Sequence, residues 1–278
     1  MDTASTSQDA PLLLLPGTLC DARVFAPVVA RLEDADQPTG RTIIVGDMTG
    51  AETTPALAAK LLTDAPPRFA LAGFSLGGIV ALEMIAQAPE RIERIALLAT
   101  NARPDPAANA APRRDAVERA RGHGMATFID DSWPRPVAPR NAGDSGLRAL
   151  IVAMAETGGH AVLASQSEVA IHRADSRPRL KDIAVPALVL CGEDDVVCRP
   201  DAHREMAELI TGATLAILPG AGHFVLLEAP DAVAAHLRAW LAVPGAPRIP
   251  PPAHSPAAHS PAAHSPAALA PQTRQETP

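Results

Sequence analysis

The chain has 278 residues, 47% of them apolar but only 3% aromatic and none of them tyrosine, so it is long enough for one sizeable core built from Leu, Val, Ile and Ala. A formal net charge of −7 is the wrong sign for a nucleic-acid partner. Three cysteines are too few for a disulfide framework, and no leader or apolar run of about 18 residues stands out, so the expectation is a cytoplasmic protein without a membrane partner.

After a polar start over residues 1–10, expected to be flexible, Leu12-Leu13-Leu14-Leu15 reads as a buried strand that runs into Pro16-Gly17-Thr18. Arg23 to Glu33 suits a helix, Arg41 to Val45 a strand and Thr54 to Asp64 a helix. Arg68 to Ala72 is the next strand, Ile79 to Ala88 a helix and Ile92 to Ala99 another strand. Between strand and helix lies Gly73-Phe74-Ser75-Leu76-Gly77. A strand feeding a helix through one residue holds that residue at positive φ on the tip of a sharp turn. Gly73 and Gly77 let the two backbones approach, and the Ser75 hydroxyl projects into open space, where a nucleophile belongs. The pentapeptide alone is a weak signal, because glycine and serine are common. Its place between a strand and a helix gives it weight.

From Thr100 to about Pro186 the rhythm breaks, and prolines punctuate helical stretches near Arg113 to Asp130, Asp144 to Glu156 and His160 to Arg173. Residues 101–182 carry 12 basic and 10 acidic side chains, against 12 and 21 in the rest of the chain. A near-neutral layer thus lies over an acidic body, a weak hint toward anionic substrates. Strands return at Pro186 to Cys191, followed by Gly192-Glu193-Asp194-Asp195, and at Thr214 to Leu218, followed by Pro219-Gly220-Ala221-Gly222-His223. A helix at about Asp201 to Ile210 separates them. This alternation predicts an α/β protein with six parallel strands covered by helices on both faces. Ser75, an aspartate and His223 then meet at the C-terminal edge of the sheet, where active sites assemble. A serine hydroxyl needs an imidazole to take its proton, and the imidazole needs a carboxylate to fix its tautomer.

His123, His160, His172, His203 and His236 lack ligand spacing and read as surface or packing residues, and no H-E-x-x-H or phosphate-cradling glycine loop occurs. Neither a metal nor a cofactor is expected. Cys20, beside the Pro16–Thr18 loop, reads as small filler rather than as a thiol nucleophile. From Pro244 the composition changes, with A-H-S-P-A three times over residues 253–267. Residues 244–278 are therefore expected to form a disordered tail behind a folded domain at 11–243.

Taken together, these residues resemble the α/β-hydrolase fold family from about Pro11 to Ala242. Pro16 stands where the family's oxyanion loop usually carries the histidine of a His-Gly pair, which is not a triad member. The resemblance implies a doubly wound sheet with a helical cap inserted at about 101–182. It also implies a triad of Ser75, His223 and Asp195, since the family sets its acid three residues after the strand-ending glycine, here Gly192. Asp194 is the competing carboxylate. The oxyanion donors it implies are the N–H groups of Thr18 and Leu76, with Leu19 as the alternative to Thr18. The implied activity is that of a carboxylesterase-like serine hydrolase, cleaving a small ester or similar acyl substrate with water through an acyl-enzyme. Haloalkane dehalogenases and epoxide hydrolases use an aspartate nucleophile, so serine at the elbow argues against both. Enol-lactone hydrolases, C–C bond hydrolases, perhydrolases and lyases of menaquinone synthesis share the Ser-Asp-His set. A non-ester reaction on a small carboxylated metabolite is therefore the second expectation. A catalytically silent binding protein is the third.

Overall fold

Runs such as Leu12-Leu13-Leu14-Leu15 have no polar face, which suits a strand covered on both sides. The computed structural model describes residues 10–244 except Ala35 and Gln37, so the expected flexible start and the repeat tail lie outside the described residues. In chain order, the first half contains β1 (Leu12–Leu15), α1 (Ala26–Leu32), β2 (Ile43–Val45), α2 (Thr54–Asp64), β3 (Phe69–Phe74), α3 (Leu76–Gln87) and β4 (Ile92–Leu98). An insertion follows with α4 (Ala110–His123), α5 (Met125–Asp130), α6 (Ser145–Ile171) and α7 (Arg177–Leu180). The body resumes with β5 (Ala187–Gly192), α8 (Pro200–Leu209), β6 (Thr214–Leu218), α9 (Val225–Glu228) and α10 (Pro230–Ala242).

The six strands form one sheet in the order β2-β1-β3-β4-β5-β6, and every pairing is parallel. Because side chains alternate along a strand, each strand feeds two cores. Leu12, Leu14, Ala72, Phe74, Leu98 and Leu190 pack on one face with Val28 and Leu32 of α1 and Leu237 and Trp240 of α10. Leu13, Leu15, Leu71, Leu97 and Val189 pack on the other with Leu57 and Leu61 of α2 and Val80 and Met84 of α3. The chain runs outward from β1 to β2, then returns past β1 to β3 and continues the opposite way. The order therefore reverses between β1 and β3, and the crevice at their C-terminal ends is where such sheets bind ligands. Pro16-Gly17-Thr18 and Ser75 end those two strands.

The helices differ from expectation mainly at glycines and ends. The stretch Arg113 to Asp130 is two helices, α4 and α5, divided at Gly124 with φ 88°. The stretches Asp144 to Glu156 and His160 to Arg173 follow one another in α6 as two helical runs, parted by a kink at Gly159, which leaves helical angles at φ 70° and ψ 179°. The first helix begins only at Ala26, after a 3₁₀ turn at Ala22–Val24 capped by Asp21. Among the described residues, α6 alone is long and apolar enough, by length and composition, to cross a membrane. It packs against α2, α4 and α5, with Gly159 breaking its axis.

Candidate active site

Ser75 sits between the last residue of β3 and the first of α3 and takes φ 52° and ψ −115°. A non-glycine residue holds such angles only where its surroundings over-determine them. They do so here. The Ser75 N–H donates to Leu98 O at 2.9 Å, and the Thr100 hydroxyl donates to Ser75 O at 2.7 Å. A side chain at Gly73 would put its Cβ 2.3 Å from Gly77 O, and one at Gly77 would lie 2.1 Å from Leu15 O. Only glycine permits this approach of β3, α3 and β1.

The sequence-predicted acid and base arrive from the ends of β5 and β6. His223 Nε2 lies 2.9 Å from Ser75 Oγ, and its Nδ1 lies 2.9 Å from Asp195 Oδ2. A carboxylate only accepts, so the Nδ1–H donates to Asp195 and Nε2 is left to accept from serine. Asp195 is buried, and its second oxygen accepts from the N–H groups of Val197 and Cys198, each at 2.8 Å. Asp194 is half-buried and engages through its backbone, with its N–H donating to Ala221 O. It is Asp195 that meets the imidazole. Phe74 and Phe224 flank the imidazole ring at centroid distances of 5.4 and 6.0 Å.

The loop after β1 turns at Gly17–Cys20, closed by Cys20 N donating to Gly17 O at 3.1 Å. Leu19 takes φ 56°, as the third position of a type II turn requires. Its N–H donates to Gln166 Oε1 at 2.8 Å, so the alternative oxyanion donor is already engaged. The N–H groups of Thr18 and Leu76 have no hydrogen-bond acceptor among the described residues. Leu76 is the first residue of α3, where backbone donors have no partner within the helix. Burial, and then the nearby Asp21 charge, push the Cys20 thiol up to about 12, leaving it protonated at neutral pH.

Four supporting residues escape any local motif. Gln166 reaches the loop after β1 from α6. Glu228 accepts from Gly222 N at 3.1 Å, Ala138 N at 2.7 Å and Asn141 Nδ2 at 2.8 Å, tying the histidine loop to the insertion. Thr100 holds the elbow carbonyl and in turn donates its N–H to Nε2 of His203 at 3.0 Å. His203 is fully buried, and burial lowers its pKa to about 4. Among the described residues no group of three or more His, Cys, Asp or Glu is gathered as a metal site.

A model of the alpha/beta hydrolase family matches residues 12–236. A pimeloyl-[acyl-carrier protein] methyl ester esterase of Nitrosospira multiformis is 27% identical over 62% of this chain and 68% of its own length. A 2-succinyl-6-hydroxy-2,4-cyclohexadiene-1-carboxylate synthase of Serratia proteamaculans is 31% identical over 64% of this chain and 69% of its own. The crystal structure of the enol-lactonase from Burkholderia xenovorans LB400 aligns with a TM-score of 0.71 and 29% identity, covering 84% of this chain and 91% of the other.

Proposed function

From the premise that this chain belongs to the alpha/beta hydrolase family, we propose that it cleaves a carboxylic ester or similar small acyl substrate through Ser75, His223, Asp195 and an acyl-enzyme. The observation that carries this reading is the continuous hydrogen-bonded series from Ser75 Oγ through both imidazole nitrogens to Asp195. His223 Nε2 takes the serine proton as Ser75 Oγ attacks the acyl carbon. Asp195 keeps the imidazole in the tautomer that makes this transfer possible. The N–H groups of Thr18 and Leu76 stabilise the oxyanion, a contribution typically worth about 3 kcal/mol per donor. His223 then protonates the leaving alcohol, takes a proton from water, and directs that water onto the acyl-enzyme. No step draws on a cofactor.

Ser75→Ala is expected to abolish fluorophosphonate labelling and to lower turnover of an aryl ester by several orders of magnitude, with the melting temperature little changed. A folded Ser75→Ala protein that still turns over ester at the wild-type rate would sink the serine reading. A wild-type protein inert to the fluorophosphonate would favour a silent binding scaffold. The Serratia relative supports a second reading, a non-ester reaction on a small carboxylated metabolite. Comparing aryl esters of increasing acyl length with lactones separates the two.

A further inference from the structure

We infer that Gln166, on the helical insertion, is a positioning residue that sets the oxyanion loop. This inference rests on the serine-hydrolase reading of the site. Gln166 is 2% exposed and 147 residues from Leu19, yet its Oε1 accepts the Leu19 N–H at 2.8 Å while its Nε2 donates to Met48 O at 3.2 Å. One amide thus spans the loop after β1 and the loop after β2, with both halves of its polar group used. The Leu19 side chain is buried too, and its Cδ2 lies 3.3 Å from where a Cβ on Gly158 would sit.

The chemistry follows from the turn. Type I and type II turns differ by rotation of their central peptide, here Thr18–Leu19, and only the type II form needs a left-handed residue at the third position. Leucine disfavours that conformation, having a Cβ that glycine lacks. The Gln166 carbonyl oxygen opposes the preference by capturing the one N–H that the rotation would turn away. Without the acceptor, Leu19 N is a buried donor left unsatisfied, and the loop gains a reason to rotate. The Thr18 N–H lies on the adjoining peptide, has no acceptor among the described residues, and has its placement tied to the turn through the Thr18 torsions the two peptides share. The amide of Gln166 touches none of the reacting atoms. Its effect is confined to how often the first oxyanion donor is in place.

The test uses the full chain, 4-nitrophenyl acetate as substrate, and phenylboronic acid as a probe that forms a tetrahedral adduct on serine. Gln166→Met keeps the length and removes the acceptor, and Gln166→Asn keeps the amide but withdraws it by one methylene. Both are expected to lower kcat by about 10- to 100-fold with KM changed less than about threefold, and to weaken boronate binding in parallel with kcat/KM. Gln166→Glu keeps an oxygen at the same reach for Leu19 N–H but, when ionised, offers Met48 O no donor, so it is expected to recover part of the kcat lost in Gln166→Asn. If Gln166→Met fails to fold, the Gln166→Asn and Gln166→Glu pair carries the comparison. Wild-type kcat in a folded Gln166→Met or Gln166→Asn variant overturns the inference, as does a loss confined to KM or to the melting temperature. Ser75→Ala is run alongside. Its retention of turnover would defeat the serine reading, whereas an inert Ser75→Ala beside a fully active Gln166→Met defeats only the clamp.

Discussion

Asp195 is held by three hydrogen bonds that leave an amide in its place little choice. Its Oδ1 accepts two backbone N–H groups, so in Asp195→Asn the amide carbonyl oxygen would stay there and turn the new NH₂ toward His223 Nδ1. That forces the proton onto Nε2, and the imidazole can no longer take one from Ser75. Asp195→Asn should therefore cost about 10⁴-fold in kcat, the loss known for a serine-protease triad aspartate. Asp194→Asn should stay within about threefold, since a half-solvated carboxylate contributes a screened field. Equal losses in the two variants would contradict the assignment. His203 gives a pH prediction. Its folded pKa near 4 lies below its ordinary value of 6.5, chiefly through burial, with the hydrogen bond to Arg199 O and the charges of Asp195 and Asp201 opposing the shift and His223 adding to it. Between those values the unfolded chain binds the proton and the native one does not, so stability falls as pH drops from about 6.5 to 4, by up to roughly 3 kcal/mol. His203→Gln, which still offers Thr100 N an acceptor, should flatten the fall in urea-unfolding free energy between pH 7 and pH 5. An unchanged slope would mean that other groups cause it. Ser75 and His223 were legible because each lies just past a strand, beside glycines. Gln166, Glu228 and His203 were not, because their partners lie 147, 90 and 103 residues away.

The two ends of the insertion are fastened to each other by buried polar ties as well as by packing. Asp105, on the segment after β4, has its side chain 2% exposed between Arg113 of α4 at 2.8 Å and Arg173, just past α6, at 3.0 Å. Burial alone would raise its carboxyl, but the hydrogen bond from Arg113 and the charge of Arg173 together hold it below the usual carboxylate range. Asp105→Ala leaves Arg173, with a side chain only 9% exposed, without this counter-charge. The expected loss is about 3 kcal/mol of unfolding free energy in urea. A loss below about 1 kcal/mol would show that water replaces the carboxylate easily. At this scale the six strands were readable from apolar runs flanked by turn residues. Helix limits were less so. Gly124 and Gly159 each take positive φ, and each parts two helical runs. The sequence holds a glycine in both places, yet only the break beside Gly159 was read from it, because Gly124 lies inside a stretch of otherwise helical residues.

The alternation of strands and helices carried the order of the whole molecule, and with it the edge on which Ser75, Asp195 and His223 meet. It missed α10, although Val233, Leu237, Trp240 and Leu241 repeat at the i, i+4, i+7, i+8 spacing of one helical face. That helix closes the first core, with Trp240 4% exposed and its Nε1 donating to Pro186 O at 3.1 Å. The Arg94 guanidinium, on β4, gathers the carbonyls of Trp240, Leu241 and Val243, each at 2.8 Å. Every one of these contacts is complete by Val243, which predicts how two truncations differ. A chain stopped after Pro244 keeps them all and should melt within about 2 °C of the full chain, with aryl-ester turnover intact. A chain stopped after Ala239 loses Trp240, Leu241 and these three carbonyls. Removing a buried tryptophan alone costs about 3–5 kcal/mol, enough to lower the melting temperature by roughly 10 °C in a domain of this size. Differential scanning calorimetry of the three chains decides the matter. If stopping after Pro244 lowers the transition as far as stopping after Ala239, the body draws stability from residues 245–278, and the folded domain does not end where its composition changes.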